Sequence, residues 1–250
     1  MISNLSQIFY LMTFPIISMF LYESFSTPKE TNWISSIVPL EFLLPALCLW
    51  TITTFGALKY AFCKYYRIIY SIVLFFIIGM SNGADIDHDL FLWLYISIIL
   101  IFEKDNDSSR DSILNLSKLL TVLIYFMSGF WKVYYSITSF FFEGQGYFHL
   151  NGLRHIIEDY NSSSGYSWLL LNQVPSIVFF SSGLFVVLLE LSGLILYFKK
   201  RSSLYNWALL IIGFHLLTVV VMKIEFVSNI ILLGVIFCLP TRKQSNQSCH

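Results

Sequence analysis

The chain has 250 residues, of which 56% are hydrophobic, 18% aromatic and only 12% charged, and its formal net charge is zero. Soluble domains usually carry about 25% charged residues, so this composition excludes an ordinary soluble domain. The absence of a net positive charge argues against nucleic-acid binding. No CxxC, HExxH or glycine-rich nucleotide motif occurs, so no metal or nucleotide site is predicted.

Several apolar runs approach the roughly 20 residues that cross a bilayer, which predicts an all-α, polytopic transmembrane helical bundle. The N-terminal segment lacks the basic stretch of a signal peptide, so the first run is predicted to be retained. We expect residues 1–243 to form one transmembrane domain and residues 244–250 to form a cytoplasmic tail. About eight spans are predicted, at residues 6–23, 37–58, 66–82, 88–102, 114–133, 175–198, 203–222 and 225–240.

Basic residues in the short connections predict the orientation of the spans. With eight spans, a cluster of Lys59, Lys64 and Arg67 falls on the same side as the basic residues at 199–201 and 242–243. This side should be the cytoplasm. The sequence therefore predicts a multi-pass protein of the cell membrane with both termini in the cytoplasm.

Residues 134–174 form the longest predicted connection, and its length exceeds what a plain connector needs. The stretch NGLRHIIEDY at 151–160 is amphipathic and is predicted to be a short interfacial helix with Asn151 as its N-cap. Two interpretations remain open for this exoplasmic loop. It is either a lid over the mouth of the bundle or a surface helix that anchors the loop to the membrane.

Lys132 lies near the predicted exoplasmic end of the fifth span, on the helix face that carries Tyr125, Ser128 and Gly129. A charged side chain within the bilayer costs about 2.5–3.5 kcal/mol on insertion scales. A partly desolvated lysine can serve as a base, and small neighbours let a flat ligand approach it. The alternative is that Lys132 reaches outward to the lipid headgroups.

His88 opens the fourth predicted span and is surrounded by Asp85, Asp87 and Asp89. A histidine that a carboxylate orients can act as a proton shuttle, which makes His88 a candidate acid or base beside Lys132. The alternative is an interfacial cap, in which a carboxylate accepts from the first-turn amides and His88 is solvated.

Glu190 and His215 lie well inside the sixth and seventh predicted spans. Glu190 is predicted to be either a proton relay or ligand contact, or an interhelical hydrogen-bonding group. His215 is either a ligand contact or a hydrogen-bonded packing residue. A direct Glu190–His215 pair would satisfy both buried groups, and we state it as a hypothesis.

The predicted exoplasmic face combines these polar groups with many aromatic residues between positions 134 and 148. Such a face suits a flat apolar ligand, for example a reduced quinone, with a base at its polar end. The same aromatic residues also suit a belt at the headgroup level, which needs no ligand.

The ordered motifs YFMSGFWKV, LLELSGLIL and GFHLL, with Asp87-His88 before them, resemble the membrane region of vitamin K-dependent γ-glutamyl carboxylase. This region belongs to the HTTM (horizontally transferred transmembrane) domain family, and the resemblance covers about residues 80 to 240. It implies an exoplasmic site in which Lys132 is the base for a reduced quinone and His88 assists. Ligand contacts are expected from Ser128, Gly129, Asp87, His215 and Glu190.

Two departures limit what the resemblance implies. Asp87 stands where the carboxylase has asparagine, and the large lumenal portion that presents glutamate to the carboxylase is not matched. Smaller relatives resemble SdpB-like membrane proteins that mature a secreted peptide toxin. We therefore expect either a membrane enzyme or enzyme subunit acting on a hydroquinone or a secreted peptide, or a non-catalytic factor for maturation, export or immunity of an antimicrobial peptide, working with a partner membrane protein.

Overall fold

The computed structural model describes residues 5–26, 43–60, 63–81, 88–142, 146–160, 171–222 and 226–238. Within these ranges the chain is helical and contains no strand, which confirms the all-α prediction. A 3-10 turn, Arg201–Ser203, joins two of the helices. The helices are α1 (Leu5–Ser26), α2 (Leu43–Lys59), α3 (Lys64–Ser81), α4 (His88–Leu100), α5 (Asp107–Phe142), α6 (Gly152–Tyr160), α7 (Ser176–Lys199), α8 (Leu204–Met222) and α9 (Val227–Phe237).

Three stretches of the described helices are long and apolar enough to cross a membrane: Asp107–Ser139, Ser176–Lys199 and Arg201–Val219. Shorter apolar stretches occur at Leu5–Ile16 and Leu90–Leu100, and in α9. Every predicted span overlaps a helix of the described residues, so the positions of these helices agree with the apolar pattern. The chain is thus a helical protein with three candidate membrane spans, and the full count of eight stays a prediction.

Helix α5 is much longer than the predicted span at 114–133, because both of its ends extend into sequence expected to be loop. At its start, the Ser109 amide donates to Asn106 Oδ1 at 2.6 Å, so Asn106 caps the helix. At its end, α5 continues to Phe142. The prediction that the exoplasmic loop begins at 134 is therefore wrong, since no glycine or proline interrupts residues 134–142.

The helix ends next to the basic clusters at 59–67 and 199–201 lie together at one end of the bundle, here called the basic end, whereas residues 242–243 lie outside the described part of the chain. Arg67, in the first turn of α3, pairs with Glu103 just after α4. Tyr197, near the end of α7, donates its hydroxyl to the Asn115 carbonyl of α5 at 3.3 Å. This agrees with the predicted antiparallel order of the helices, whereas the side of the membrane that the basic end faces stays a prediction.

Helix α6 forms where the amphipathic sequence predicted a helix. Its apolar side chains Leu153 and Ile157 pack against Phe179 of α7. The Asn151 carbonyl accepts the His155 amide at 2.9 Å, but Asn151 Oδ1 has no partner within the described residues. The Asn151 side chain therefore does not cap the helix. The apolar side of α6 therefore packs against protein and does not face only lipid.

Candidate functional site

A stripe of polar side chains follows one buried face of α5. Successive residues of this stripe are four, four and three positions apart, a pattern that repeats every eleven residues. Residues with this spacing lie along one face of an α-helix. Most of the stripe is buried, with Ser128 and Lys132 only partly so. We call this set the α5 polar stripe; it consists of Ser117, Thr121, Tyr125, Ser128, Lys132, Ser136 and Ser139.

Lys132, the one charged residue of the α5 polar stripe, forms an ion pair with Glu190 of α7. Lys132 Nζ donates to both carboxylate oxygens of Glu190, at 2.5 and 2.7 Å, and to Ser128 Oγ at 2.9 Å. These three acceptors match the three hydrogens of an ammonium group. The side chain of Lys132 is 19% exposed and that of Glu190 only 4%. Lys132 therefore points into the bundle and does not reach outward to the headgroups.

The ion pair lies in the middle of a candidate span. Glu190 is 14 residues after the first residue of α7, Ser176, and 9 residues before its last, Lys199. At 1.5 Å per residue these separations are about 21 and 14 Å. An unpaired carboxylate or ammonium at this depth would be strongly disfavoured, so each charge depends on the other.

Gly129 allows α5 and α7 to approach closely beside the pair. A Cβ atom added at Gly129 would lie 3.0 Å from Glu190 Cβ and 3.2 Å from Leu191 Cγ. Such contacts are tighter than a side chain normally accepts. The small residue predicted to admit a ligand or another helix thus admits α7, and this contact sets the position of Glu190.

A turn at residues 146–150 lies against the same face of α5, on the Phe142 side of the pair. Ser136 Oγ accepts the Tyr147 amide at 2.9 Å and donates to the Lys132 carbonyl at 2.6 Å. The centroid of the Tyr147 ring is 6.0 Å from Lys132 Nζ. Gly146 has a φ of +107°, a conformation that glycine adopts readily, and it brings the turn against Ser136. The turn therefore covers one side of Lys132.

His215 lies on the other side of the ion pair along α5. Its Nε2 is 2.7 Å from the Tyr125 hydroxyl, and its ring centroid is 4.6 Å from that of Phe226. His215 is 4% exposed, and its Nδ1 has no hydrogen-bond partner within the described residues. The hypothesis of a direct Glu190–His215 pair is wrong, because Glu190 binds Lys132 and His215 binds Tyr125.

The structure brings four predicted site residues, Lys132, Glu190, Ser128 and Gly129, into one cluster, and a fifth, His215, lies beside it on Tyr125. Ser128 and Gly129 border the Lys132–Glu190 pair directly. Asp87 lies outside the described residues. His88 is the first residue of α4, but its side chain lies outside the described part of the chain. The placement of His88 beside Lys132 therefore stays a prediction.

A second buried ion pair was not predicted from the sequence. Arg67 donates to Glu103 Oε2 at 3.0 Å and to the Leu100 carbonyl. The side chains of Arg67 and Glu103 are 1% and 0% exposed. Arg67 was counted among the loop charges that predict orientation, and its burial removes it from that count. The sequence did contain a signal for this pair. Arg67 lies in the first turn of an apolar helix, and the acidic residue Glu103 comes just after the following helix.

Comparisons of the chain with protein-family models, with curated proteins and with solved structures found no match. The resemblance to the HTTM family therefore rests on the quoted motifs and stays a prediction. Two of these motifs, YFMSGFWKV and LLELSGLIL, contain Lys132 and Glu190 and so meet in the structure. The chemistry of the site has to be argued from its own residues.

Proposed function

We propose that this protein is a multi-pass membrane protein with about eight spans, in which Lys132 and Glu190 form an acid–base site. Its ligand would be lipid-soluble and would carry a weakly acidic hydroxyl group, as a hydroquinone does. The observation that carries this proposal is the ion pair itself: Lys132 Nζ lies 2.5 and 2.7 Å from the Glu190 oxygens in the middle of a candidate span. Intramembrane ionisable residues are rare and commonly mark functional pathways.

The geometry supports a division of roles between the two residues. The three acceptors around Lys132 Nζ account for all its ammonium hydrogens, so the amine has no free electron pair. We therefore assign proton acceptance to Glu190. The O–H bond of the ligand breaks, its proton goes to a carboxylate oxygen, and the electron pair stays on the ligand oxygen. The Lys132 ammonium then stabilises that oxygen anion electrostatically.

This division differs from the role that the HTTM resemblance implies, in which Lys132 itself is the base. The exposed fractions support Lys132 as the group that the ligand meets, because it is 19% exposed and Glu190 is 4% exposed. The Tyr147 ring, 6.0 Å from Lys132 Nζ, offers an aromatic surface for a flat ligand.

The proposal is tested by the ionisation of a bound hydroquinone. The purified protein in lipid nanodiscs is mixed anaerobically with a short-chain naphthohydroquinone, and the absorbance of the anion is followed against pH. We expect ionisation about two pH units below that in empty nanodiscs, equivalent to ~2.7 kcal/mol. Lys132→Met should abolish this difference, because it removes the cation that stabilises the anion, and Lys132→Arg should keep most of it. Glu190→Gln should instead slow the appearance of the anion after a pH jump, because it removes the proton acceptor. Lys104→Met, a change at an exposed lysine just before the same helix, is the matched control and should leave the ionisation unchanged.

Two results would contradict the proposal. If Glu190→Gln and Lys132→Met both ionise the ligand to the same extent and as fast as wild type does, the pair is only an interhelical contact. If Lys132→Arg loses the effect and Glu190→Gln keeps the wild-type rate, the base is Lys132, as the resemblance implies. The rival function, a non-catalytic factor for a secreted peptide, stays a prediction; it requires that both variants support peptide maturation as well as wild type.

A further inference from the structure

Two cations from different elements lie in one region at the basic end of the bundle. Lys118 of α5 and Arg201, in the 3-10 turn that follows α7, are linked through Tyr197, which donates its hydroxyl to the Asn115 carbonyl, one turn before Lys118, at 3.3 Å. Lys118 is partly buried, and its Nζ is 6.0 Å from the ring centroid of Phe237 at the end of α9. Arg201 Cζ is 4.8 Å from the ring centroid of Tyr197. Four elements thus converge on one small basic area.

These two cations have no carboxylate partner within the described residues. The carboxylates of Asp105 and Asp107, at the start of α5, are bonded to Arg110 instead. Asp111, two turns before Lys118 on α5, is exposed and forms no ion pair within the described chain. Like charges in one region repel each other, and a bound anion would reduce that repulsion.

The surroundings hold the cations in place and are apolar on the membrane side. Tyr197 and Phe237 are each 6% exposed, so their buried rings provide a fixed aromatic surface under the two cations. Phe198 and Tyr205, on either side of Arg201 in the chain, are 73% and 48% exposed. A ligand bound here would therefore have its anionic group at Lys118 and Arg201 and an apolar surface beside it.

We infer that Lys118 and Arg201 bind the phosphate of an anionic phospholipid headgroup. Basic pockets between transmembrane helices are suited to such headgroups, because the helix ends lie at headgroup depth. The exposed Lys199 and Lys200 add positive charge next to Arg201. The exposed aromatic side chains favour a lipid over free phosphate, since the acyl chains can pack on them. This site is separate from the Lys132–Glu190 pair and does not depend on the proposed acid–base function.

The test uses the full chain in neutral detergent with added phosphatidylglycerol, or with phosphatidylcholine of the same acyl chains. Native mass spectrometry counts the retained lipid, and thermal unfolding measures the stabilisation. We expect wild type to retain phosphatidylglycerol at least tenfold better than phosphatidylcholine. Lys118→Gln/Arg201→Gln should lose this preference. Lys59→Gln/Lys64→Gln, which removes two positive charges from the same end, is the matched control and should keep it.

Three outcomes would overturn the inference. The double variant could keep the preference for phosphatidylglycerol, both lipids could bind equally, or inorganic phosphate alone could displace the lipid and stabilise the protein as much. If the double variant fails to fold, Lys118→Met decides. It keeps an apolar stem over Phe237 and removes only the charge, so we expect the same loss of preference.

Discussion

The two buried ion pairs of this protein are built differently. Arg67 and Glu103 are sealed, with 1% and 0% of their side chains exposed, and they lie where one helix begins and another has just ended. Lys132 lies 10 residues before the end of α5 and Glu190 lies near the middle of α7, and Lys132 keeps 19% of its side chain exposed. One pair is closed to any ligand, whereas the other can be reached at its cation.

The difference follows from what each cation binds. Arg67 donates to the Leu100 carbonyl at the end of α4 as well as to Glu103, and the same carbonyl accepts the Glu103 amide at 3.2 Å, so Arg67 adds a second bond to the end of the helix. A cation at a helix C-terminus is favoured by the helix dipole. Lys132 has no helix end to stabilise. Burial of a charge therefore identifies a functional candidate only when helix geometry does not already explain it.

The largest effect is expected at the sealed pair. Arg67→Met leaves Glu103 buried without its partner, and removal of one member of a buried pair typically costs about 3–5 kcal/mol. The loss of unfolding free energy is measured by chemical denaturation in detergent micelles. Arg67→Met/Glu103→Leu should recover at least half of it, because no charge is then left unpaired. If the single variant loses less than ~1 kcal/mol of unfolding free energy, the Arg67–Glu103 pair does not stabilise the fold.

A smaller loss of stability is expected at the open pair. Lys132→Met leaves the Glu190 carboxylate with one neighbouring hydroxyl, and we expect a loss of about 1–3 kcal/mol. The same denaturation experiment gives the value, and the exposed Lys104→Met is the control. If Lys132→Met destabilises the protein more than Arg67→Met does, the contrast between the two pairs fails.

The hydrogen bond beside the open pair should contribute less again. Tyr125→Phe removes the hydroxyl that lies 2.7 Å from His215 Nε2. Interhelical hydrogen bonds in membrane proteins average about 0.6 kcal/mol, and we expect a loss of that order in thermal unfolding. Tyr134→Phe is the matched control, since Tyr134 is 52% exposed on another face of α5. Equal effects of the two changes would argue against a special role for the Tyr125–His215 contact.

The smallest effect concerns the turn that covers Lys132. Ser136→Ala removes the acceptor of the Tyr147 amide, which should open the turn locally with little change in global stability. Hydrogen exchange at Tyr147 should become about tenfold faster, equivalent to ~1.4 kcal/mol. Thr138→Val provides the control, because Thr138 bonds only to carbonyls of its own helix. Unchanged exchange at Tyr147 would show that the turn is held by other contacts.

The sequence predicted where the helices lie but not where the longest one ends. The residues DSSRDS at 107–112 are polar enough to indicate a loop, yet the cap at Asn106 makes them the first turns of α5. At the other end, the aromatic residues up to Phe142 were assigned to an exoplasmic loop. Apolar periodicity locates the centre of a helix well and its ends poorly, because caps depend on a few side-chain bonds.

The site was predicted in part. The shared face of Tyr125, Ser128, Gly129 and Lys132 follows from helical spacing, and the structure agrees with it. The partners of these residues could not be predicted, because Lys132 and Glu190 are 58 residues apart and their contact depends on how α5 and α7 pack. The sequence favoured His215 as the partner of Glu190, because both lie well inside neighbouring predicted spans, whereas the structure pairs Glu190 with Lys132.

The sequence by itself determined that this chain forms apolar helices and that α5 carries polar side chains along one face, since both properties depend on local spacing. Only the tertiary structure decided which charges meet. The register of α5 against α7, set by the close approach at Gly129, places Glu190 on Lys132. The packing of α3 against α4 buries Arg67, which the sequence analysis counts among the charges that predict orientation. Such pairings depend on distances between segments that are remote in the chain, and no local pattern contains them.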